Sequence, residues 1–193
     1  MEALEAILTR RTVPPAKMGP PGPDEPALRR ILEAGVAAPD HGLLRPWRFL
    51  LVRGDGRARL GELFAAFVQR QSAAVSAEEL EKQRTAPLRA PVIVVVVARV
   101  DPAHPKIPAA EQLAAVAAAA QNMLLAAHAL GFAAKWATGR QAHDATVRAG
   151  LGLGTHDRIV GFLYLGSATG EQPAPPRAGL DQVVQEWPPA PVG

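Results

Sequence analysis

The chain has 193 residues, of which 48% are hydrophobic and 20% charged, a composition typical of one folded domain. The formal net charge is only +3 and the two signs are interspersed, so the clustered basic patch of a nucleic-acid-binding protein is absent from the sequence. With no cysteine, disulfides, thiolate metal sites and a cysteine nucleophile are excluded. The first residues are acidic and lack the pattern of an export signal. We therefore expect a cytoplasmic protein without nucleic-acid or membrane partners.

Alternating helices and strands are predicted for the first half of the chain. Leu4, Ile7 and Leu8 follow helical spacing, with Arg11 closing the last turn of a first helix. A Pro/Gly-rich loop over residues 13–23 leads to Asp24, a predicted N-cap, and the helix that follows stops before Pro39. Residues 48–52 are predicted as a strand and residues 60–68 as a helix, and a capping box at residues 76–79 predicts another helix.

The second half continues the same alternation. Residues 91–98 are β-branched without alternation, which is typical of a strand buried on both faces. A long helix over about 108–130, a strand over 132–137, a short helix over 145–151 and a strand over 158–165 follow. These elements predict one α+β or α/β domain over residues 1–170. Residues 171–193 are predicted to form a Pro-rich tail without a core of its own.

The long helix belongs to a stretch, residues 113–134, that contains no charged residue. Its length would allow it to cross a membrane. Half of its residues are alanine, however, and Gln121, Asn122 and His128 interrupt it, so its transfer into lipid is unfavourable. We expect a helix buried in the core or at an interface between subunits.

Several patterns for other chemistries are weak. The five histidines include no pair at ligand-like helical spacing, and no serine lies in a nucleophile elbow. The glycines at 150, 152 and 154 superficially resemble a dinucleotide-binding loop. Such a loop must follow a strand and open a helix, whereas these glycines follow a predicted helix. We therefore predict a helix C-cap at residues 150–154.

Three further patterns carry more information. Arg10, Arg11 and Thr12 come at a predicted helix C-terminus, where the macrodipole favours cations, so a purely structural role is open. The alternative is a phosphate clamp, because guanidinium groups match phosphate oxygens in pairs. The second pattern is the irregular turn Ala-Pro-Asp-His followed by Pro-Trp over residues 38–47, and the third is Trp-Ala-Thr-Gly over residues 136–139.

In their order along the chain, these three patterns, the apolar central helix and the strand over residues 159–166 resemble the nitroreductase-like flavoproteins, particularly their small bacterial members. The resemblance implies an α+β fold in which helices flank a central, mostly antiparallel sheet. It also implies an intertwined homodimer with FMN at the subunit interface. The implied activity is ping-pong hydride transfer through flavin N5, from NAD(P)H to a nitroaromatic, quinone or similar small acceptor.

The resemblance also assigns cofactor-binding residues. In the family, the Arg-Arg motif binds the flavin phosphate and ribityl end, the Ala-Pro turn of the other subunit lies beside the ring, and the Trp-x-Thr segment lines the flavin. The matching positions here are Arg10, Arg11 and Thr12 for the first group, Ala37, Pro39 and His41 for the second, and Trp136, Ala137 and Thr138 for the third. Longer members add a basic phosphate contact near the C-terminus, for which Arg177 is the candidate. No catalytic or metal-binding residue is predicted.

Two other functions remain open at this point. One is a flavoenzyme of the same fold with different chemistry, such as reductive dehalogenation or oxidative flavin fragmentation. The other is a non-enzymatic flavin-binding dimer. A visible spectrum of the purified protein tests for the flavin, and bleaching of that spectrum by NADH separates an enzyme from a binding module.

Overall fold

A five-stranded antiparallel sheet forms the centre of the computed structural model, which describes residues 1–72, 74–174 and 176–187. The strands are β1 (Met18–Gly19), β2 (Trp47–Val52), β3 (Val92–Arg99), β4 (Ala133–Ala137) and β5 (Asp157–Ala168). The order β1-β5-β3-β2 puts β3 along one edge of β5. Along the other edge, β4 pairs with residues 162–166 of β5, and β1 pairs with residues 167–168 at the end of β5.

The described residues form six α-helices. They are α1 (Ala3–Thr9), α2 (Glu25–Val36), α3 (Gly56–Gln71), α4 (Ala77–Thr85), α5 (Ala109–Ala129) and α6 (Ala145–Gly150). Of these, α2, α3, α5 and α6 pack against the sheet. Short 3-10 turns lie at Pro15–Lys17, His41–Leu43, Ala86–Arg89, Arg140–His143 and Leu180–Gln182. Within the described residues, no helix is both long enough and apolar enough to cross a membrane.

The core lies on both faces of β3, as the uninterrupted β-branched run predicts. Ile93, Val95 and Val97 point to one face, where they pack with apolar residues of α3 and α6. Val94 and Val96 point to the other face, which α2 and α5 cover. Because β3 is sandwiched between two layers of helices, every residue from 92 to 98 is buried.

The predicted helix ends are confirmed at three places. The Asp24 carboxylate accepts a hydrogen bond from the backbone N–H of Ala27 (2.9 Å), and the Ser76 hydroxyl accepts one from the backbone N–H of Glu79 (3.1 Å). After α6, Gly152 has φ +69°, and its N–H donates to the Ala149 carbonyl at 2.9 Å. The glycine-rich segment is therefore a helix C-cap, as predicted.

The first helix differs from its prediction. It ends at Thr9 and not at Arg11, and the only residue it buries is Ala6. Leu4 and Leu8 are each 72% exposed, so the apolar spacing identifies the helix but not a surface that this chain alone buries. The predicted Pro/Gly loop also contains β1 and the Pro15–Lys17 turn, because pairing with the end of β5 provides partners that local sequence does not reveal.

The segment after α5 turns sharply back along the helix. Gly131 has φ +86°, and the N–H of Phe132 donates to the Ala127 carbonyl at 2.8 Å. A residue with a side chain is strained at such a φ, whereas glycine adopts it readily. Because of this turn, β4 starts beside the C-terminal end of α5 and runs towards the N-terminal half of the helix.

Candidate functional site

A group of basic side chains lies where α1 ends. Arg10 is the C-cap of α1, and its N–H donates to the Ala6 carbonyl at 3.0 Å. The chain then runs beside β4, where the Val13 N–H donates to the Ala134 carbonyl at 3.1 Å. Backbone hydrogen bonds on both sides hold the three predicted residues Arg10, Arg11 and Thr12 in place; the two arginines are half-buried and Thr12 is exposed.

The Pro-rich tail folds back over this segment. The guanidinium of Arg177 donates to the Arg10 carbonyl at 2.7 Å, and the guanidinium of Arg11 donates to the Gln172 carbonyl. Gln172 is not part of any motif and contributes only its backbone carbonyl, so this contact could not be predicted from the sequence. The contacts bring Arg177, a candidate from the sequence, next to the first predicted group.

Positive charge is concentrated in this cluster. Within the described part of the chain, no carboxylate forms an ion pair with Arg10, Arg11 or Arg177. Burial, followed by the charge of Arg177, lowers the pKa of Arg10. Burial, followed by the charges of Arg11 and Arg10, likewise lowers the pKa of His128, whose Nε2 lies 2.9 Å from the Thr9 hydroxyl. A bound anion would relieve this repulsion.

The third predicted group lies at the other end of β4. The indole Nε1 of Trp136 donates to the Val160 carbonyl at 3.0 Å, and the indole covers Gly161, where a Cβ would stand 2.1 Å from that nitrogen. Ala137 pairs with Phe162, and Thr138 is exposed beyond the end of the strand. At about 3.3 Å per residue, Thr138 lies about 13 Å along β4 from Ala134, the residue bonded to the arginine segment.

The second predicted group stands apart from the other two. Ala37 lies in a shallow depression between α1, α2 and the C-terminal half of α5. Pro39 and His41 lie near the start of α5, where His41 Nδ1 is 2.6 Å from Glu111 Oε2. Within the described residues, no hydrogen bond or ion pair joins these three positions to Arg10–Thr12 or Trp136–Thr138. One chain therefore places two of the three predicted groups along β4, one beside each end of the strand, and the remaining group elsewhere.

The turn that presents His41 has an unusual backbone. Leu43 and Arg45 have φ of +55° and +50°, a left-handed region that is costly for residues with a Cβ. The Asp40 carboxylate holds the turn closed by accepting a hydrogen bond from the Arg45 N–H at 2.6 Å. Strained backbone of this kind clusters at functional sites. Glu111, the partner of His41, was not predicted, because 70 residues separate the two in sequence.

A cavity of about 700 Å³ opens where β4 ends. We call it the α5–β5 cavity, because the first half of α5 and the start of β5 form its walls. Its lining consists of Ala110, Leu113, Ala114, Ala117, Ala142, His143, Arg148, Asp157, Arg158, Ile159 and Val160. Sequence reasoning missed it because three distant segments build it, and none of them carries a motif.

Comparison with known proteins identifies the family. A model of the Nitroreductase family matches residues 7–167. The chain belongs to this family. The nitroreductase family is one of oxidoreductases, so the resemblance and the enzyme class predicted from the sequence are confirmed. A relative from Escherichia coli (strain K12), YdjA, whose name assigns it to the NAD(P)H nitroreductases, is 38% identical over 169 residues, which cover 86% of this chain and 88% of YdjA.

Solved structures of nitroreductases share the fold. A nitroreductase-like family protein from Bacillus cereus superposes with a TM-score of 0.81 at 25% identity, covering 97% of each chain. A nitroreductase with bound FMN from Bacteroides fragilis NCTC 9343 superposes with a TM-score of 0.72 at 26% identity, covering 96% of this chain and 99% of that one. These likenesses and the antiparallel sheet confirm the predicted α+β, nitroreductase-like fold.

Proposed function

We propose that this protein is an FMN-dependent oxidoreductase that uses NAD(P)H to reduce a small acceptor such as a nitroaromatic or a quinone. The observation that carries the proposal is the cluster of Arg10, Arg11 and Arg177, which has no carboxylate partner in the described part of the chain. Backbone carbonyls hold the guanidinium groups of Arg177 and Arg11 beside Arg10, and guanidinium groups suit the oxygens of a phosphate group.

The remaining residues fit the rest of FMN. FMN has a phosphate at one end and a flat, largely apolar ring at the other, and β4 runs from Ala134, beside the arginine segment, past Trp136 to Thr138, about 13 Å further along the chain. The Trp136 indole is fixed by its hydrogen bond to Val160, so it offers a rigid wall for the ring. The Thr12 and Thr138 hydroxyls are exposed and add donors along the way. When bound, FMN would supply the hydride chemistry between NAD(P)H and the acceptor.

The protein's own part in the reaction is then binding and positioning. Arg10 and Arg11 hold the phosphate, and Trp136 to Thr138 orient the ring end. The lowered pKa of His128 favours the neutral imidazole, so that this residue adds little charge beside the arginines near pH 7. The apolar wall of the α5–β5 cavity limits the access of water to the ring end.

We further propose that the working form is a homodimer. Leu4 and Leu8 of α1 are largely exposed, and apolar residues such as Leu125 and Ala126 on α5 are only partly covered. A second copy that packs on this surface would bury it, and obligate interfaces of this kind typically exceed about 2,000 Å². The separate position of Ala37, Pro39 and His41 supports the same proposal, since these residues can complete a site only in a partner chain. Sedimentation of a stable monomer with flavin bound would contradict it.

The experiment that tests the cofactor site is a titration of apo-protein with FMN. Arg10→Ala removes charge-assisted hydrogen bonds worth about 1.5–3 kcal/mol, so we expect FMN affinity to fall about ten- to a hundred-fold. Arg10→Lys should recover only part of this loss, because an ammonium cannot reproduce the planar fork. Arg30→Ala, an exposed arginine on α2, is the matched control and should leave the affinity unchanged.

The same samples separate the alternatives. If Arg10 only caps α1, Arg10→Ala lowers the melting temperature, costs less than about 1 kcal/mol and leaves FMN affinity unchanged. An enzyme bleaches the flavin spectrum on addition of NADH or NADPH and recovers it when a nitroaromatic is added. A flavin-binding dimer without activity shows the spectrum but not the bleaching.

A further inference from the structure

We propose that the α5–β5 cavity binds an aromatic acceptor that carries a carboxylate, and that Arg148 is the residue that recognises the carboxylate. The inference rests on the proposed function, since it names the class of acceptor that the same site would take. Its support is the shape of the cavity, the unequal pairing of the charges at its rim and its position beside β4.

The walls of the cavity suit a flat apolar body. Ala110, Leu113 and Ala117 of α5 form one wall, and Ile159 and Val160 of β5 form the other. The volume of about 700 Å³ lies within the range of small-molecule sites. An aromatic ring between these walls would be shielded from water mainly by apolar side chains.

The charged side chains that line the cavity differ in whether they have hydrogen-bond partners. The Arg158 guanidinium donates to the carbonyls of Thr155 (2.6 Å) and Asp157 (3.0 Å). The Asp157 carboxylate accepts from the Gly154 N–H at 2.8 Å. Arg148 is half-buried, and its guanidinium forms no hydrogen bond or ion pair with any described residue.

A carboxylate is the ligand that this arrangement favours. A partly buried guanidinium without a partner is unfavourable, and two parallel N–H···O bonds to a carboxylate would satisfy it. Arg148 and Arg158 outnumber Asp157 at the rim, so the local charge also favours an anion. A neutral acceptor would leave the Arg148 donors unpaired.

The cavity also lies where an acceptor would need to bind. It begins at the end of β4, because Val160, which accepts the Trp136 hydrogen bond, is one of its lining residues. Ala142 and His143, in the turn that follows Gly139, form another part of the lining. An acceptor held at Arg148 would therefore lie next to the segment that the proposed function assigns to the flavin ring.

The test compares an anionic and a neutral acceptor of nearly equal shape, 4-nitrobenzoate and 4-nitrobenzamide. The kcat/KM of each compound is measured with three FMN-loaded proteins: the wild-type protein, Arg148→Gln and the control Arg59→Gln, in which an exposed arginine is replaced. We expect Arg148→Gln to lower kcat/KM for 4-nitrobenzoate about ten- to a hundred-fold and to leave 4-nitrobenzamide within about two-fold. Arg59→Gln should change neither.

A binding measurement that needs no turnover accompanies the kinetics. Calorimetric titration with benzoate and benzamide should show tighter binding of benzoate, and Arg148→Gln should abolish the difference. An equal fall in kcat/KM for both nitro compounds, or a loss of FMN affinity with unchanged acceptor preference, would overturn the inference. Arg148 would then have a structural role or a role in cofactor binding. Selective binding of benzoate, in a protein whose bound flavin NAD(P)H does not reduce, would instead refute the proposed function but support carboxylate binding at Arg148.

Discussion

Gly161 provides a sharp test of how β5 sets the position of Trp136. A Cβ at residue 161 would lie 2.1 Å from Trp136 Nε1, 2.4 Å from its Cδ1 and 3.2 Å from the Ala137 carbonyl oxygen. The first two contacts are far shorter than a real Cβ contact, so atoms must shift, and we expect Gly161→Ala to displace the indole and break its hydrogen bond to Val160.

The expected cost combines two effects. Forcing a methyl group into a well-packed site typically costs about 1–3 kcal/mol, and the lost hydrogen bond adds about 1 kcal/mol. Alanine also restricts the unfolded chain more than glycine does, which offsets a small part of this destabilisation. We expect Gly161→Ala to lower the free energy of unfolding by about 2–4 kcal/mol, or the melting temperature by roughly 4–16 °C. FMN affinity should fall as well, because the displaced indole no longer supports the ring end.

A double-mutant cycle measured by urea denaturation tests both the steric cause of the destabilisation and its magnitude. In a Trp136→Leu background, the indole is gone and Gly161→Ala should cost less than about 1 kcal/mol. Gly56→Ala is the matched control, since its Cβ would meet only a Val52 methyl group at 3.6 Å; it should stabilise α3 slightly. If the cost of Gly161→Ala were the same with and without the indole, the steric reasoning would be refuted.

Two further predictions concern His128 and Gln112. Burial, followed by the charges of Arg11 and Arg10, lowers the pKa of His128 in the folded protein. The imidazole is therefore protonated more readily in the unfolded chain, and stability is lost as pH falls below about 6.5. The melting temperature of His128→Gln should therefore fall less steeply between pH 7.5 and 5.5, and parallel curves would contradict this. Gln112 is 1% exposed and its amide bonds the backbone of Asp101 and Ile107, so Gln112→Leu should cost about 2–4 kcal/mol in urea denaturation; a loss under about 1 kcal/mol would contradict that.

The sequence by itself determined the elements whose signals are local. The β-branched run that became β3 needs helices on both faces, because its side chains are apolar on each. Asp24 and Ser76 cap their helices because a side-chain oxygen can reach the free N–H groups of the first turn from its own position. The order of the Arg-Arg-Thr, Ala-Pro and Trp-x-Thr patterns also sufficed to indicate the family.

Only the tertiary structure decided which residues meet. The contact between Arg177 and Arg10 joins residues 167 positions apart, and no periodicity encodes such a distance. The same is true of Arg148, whose lack of a partner in the described chain becomes visible only when α6, α5 and β5 enclose a cavity. The exposed apolar face of α1 has the spacing of a buried helix, yet whether such a face is covered depends on what the rest of the chain, or a second copy, places against it. Burial and charge pairing are properties of the assembled surfaces, and local sequence constrains only the elements from which they are built.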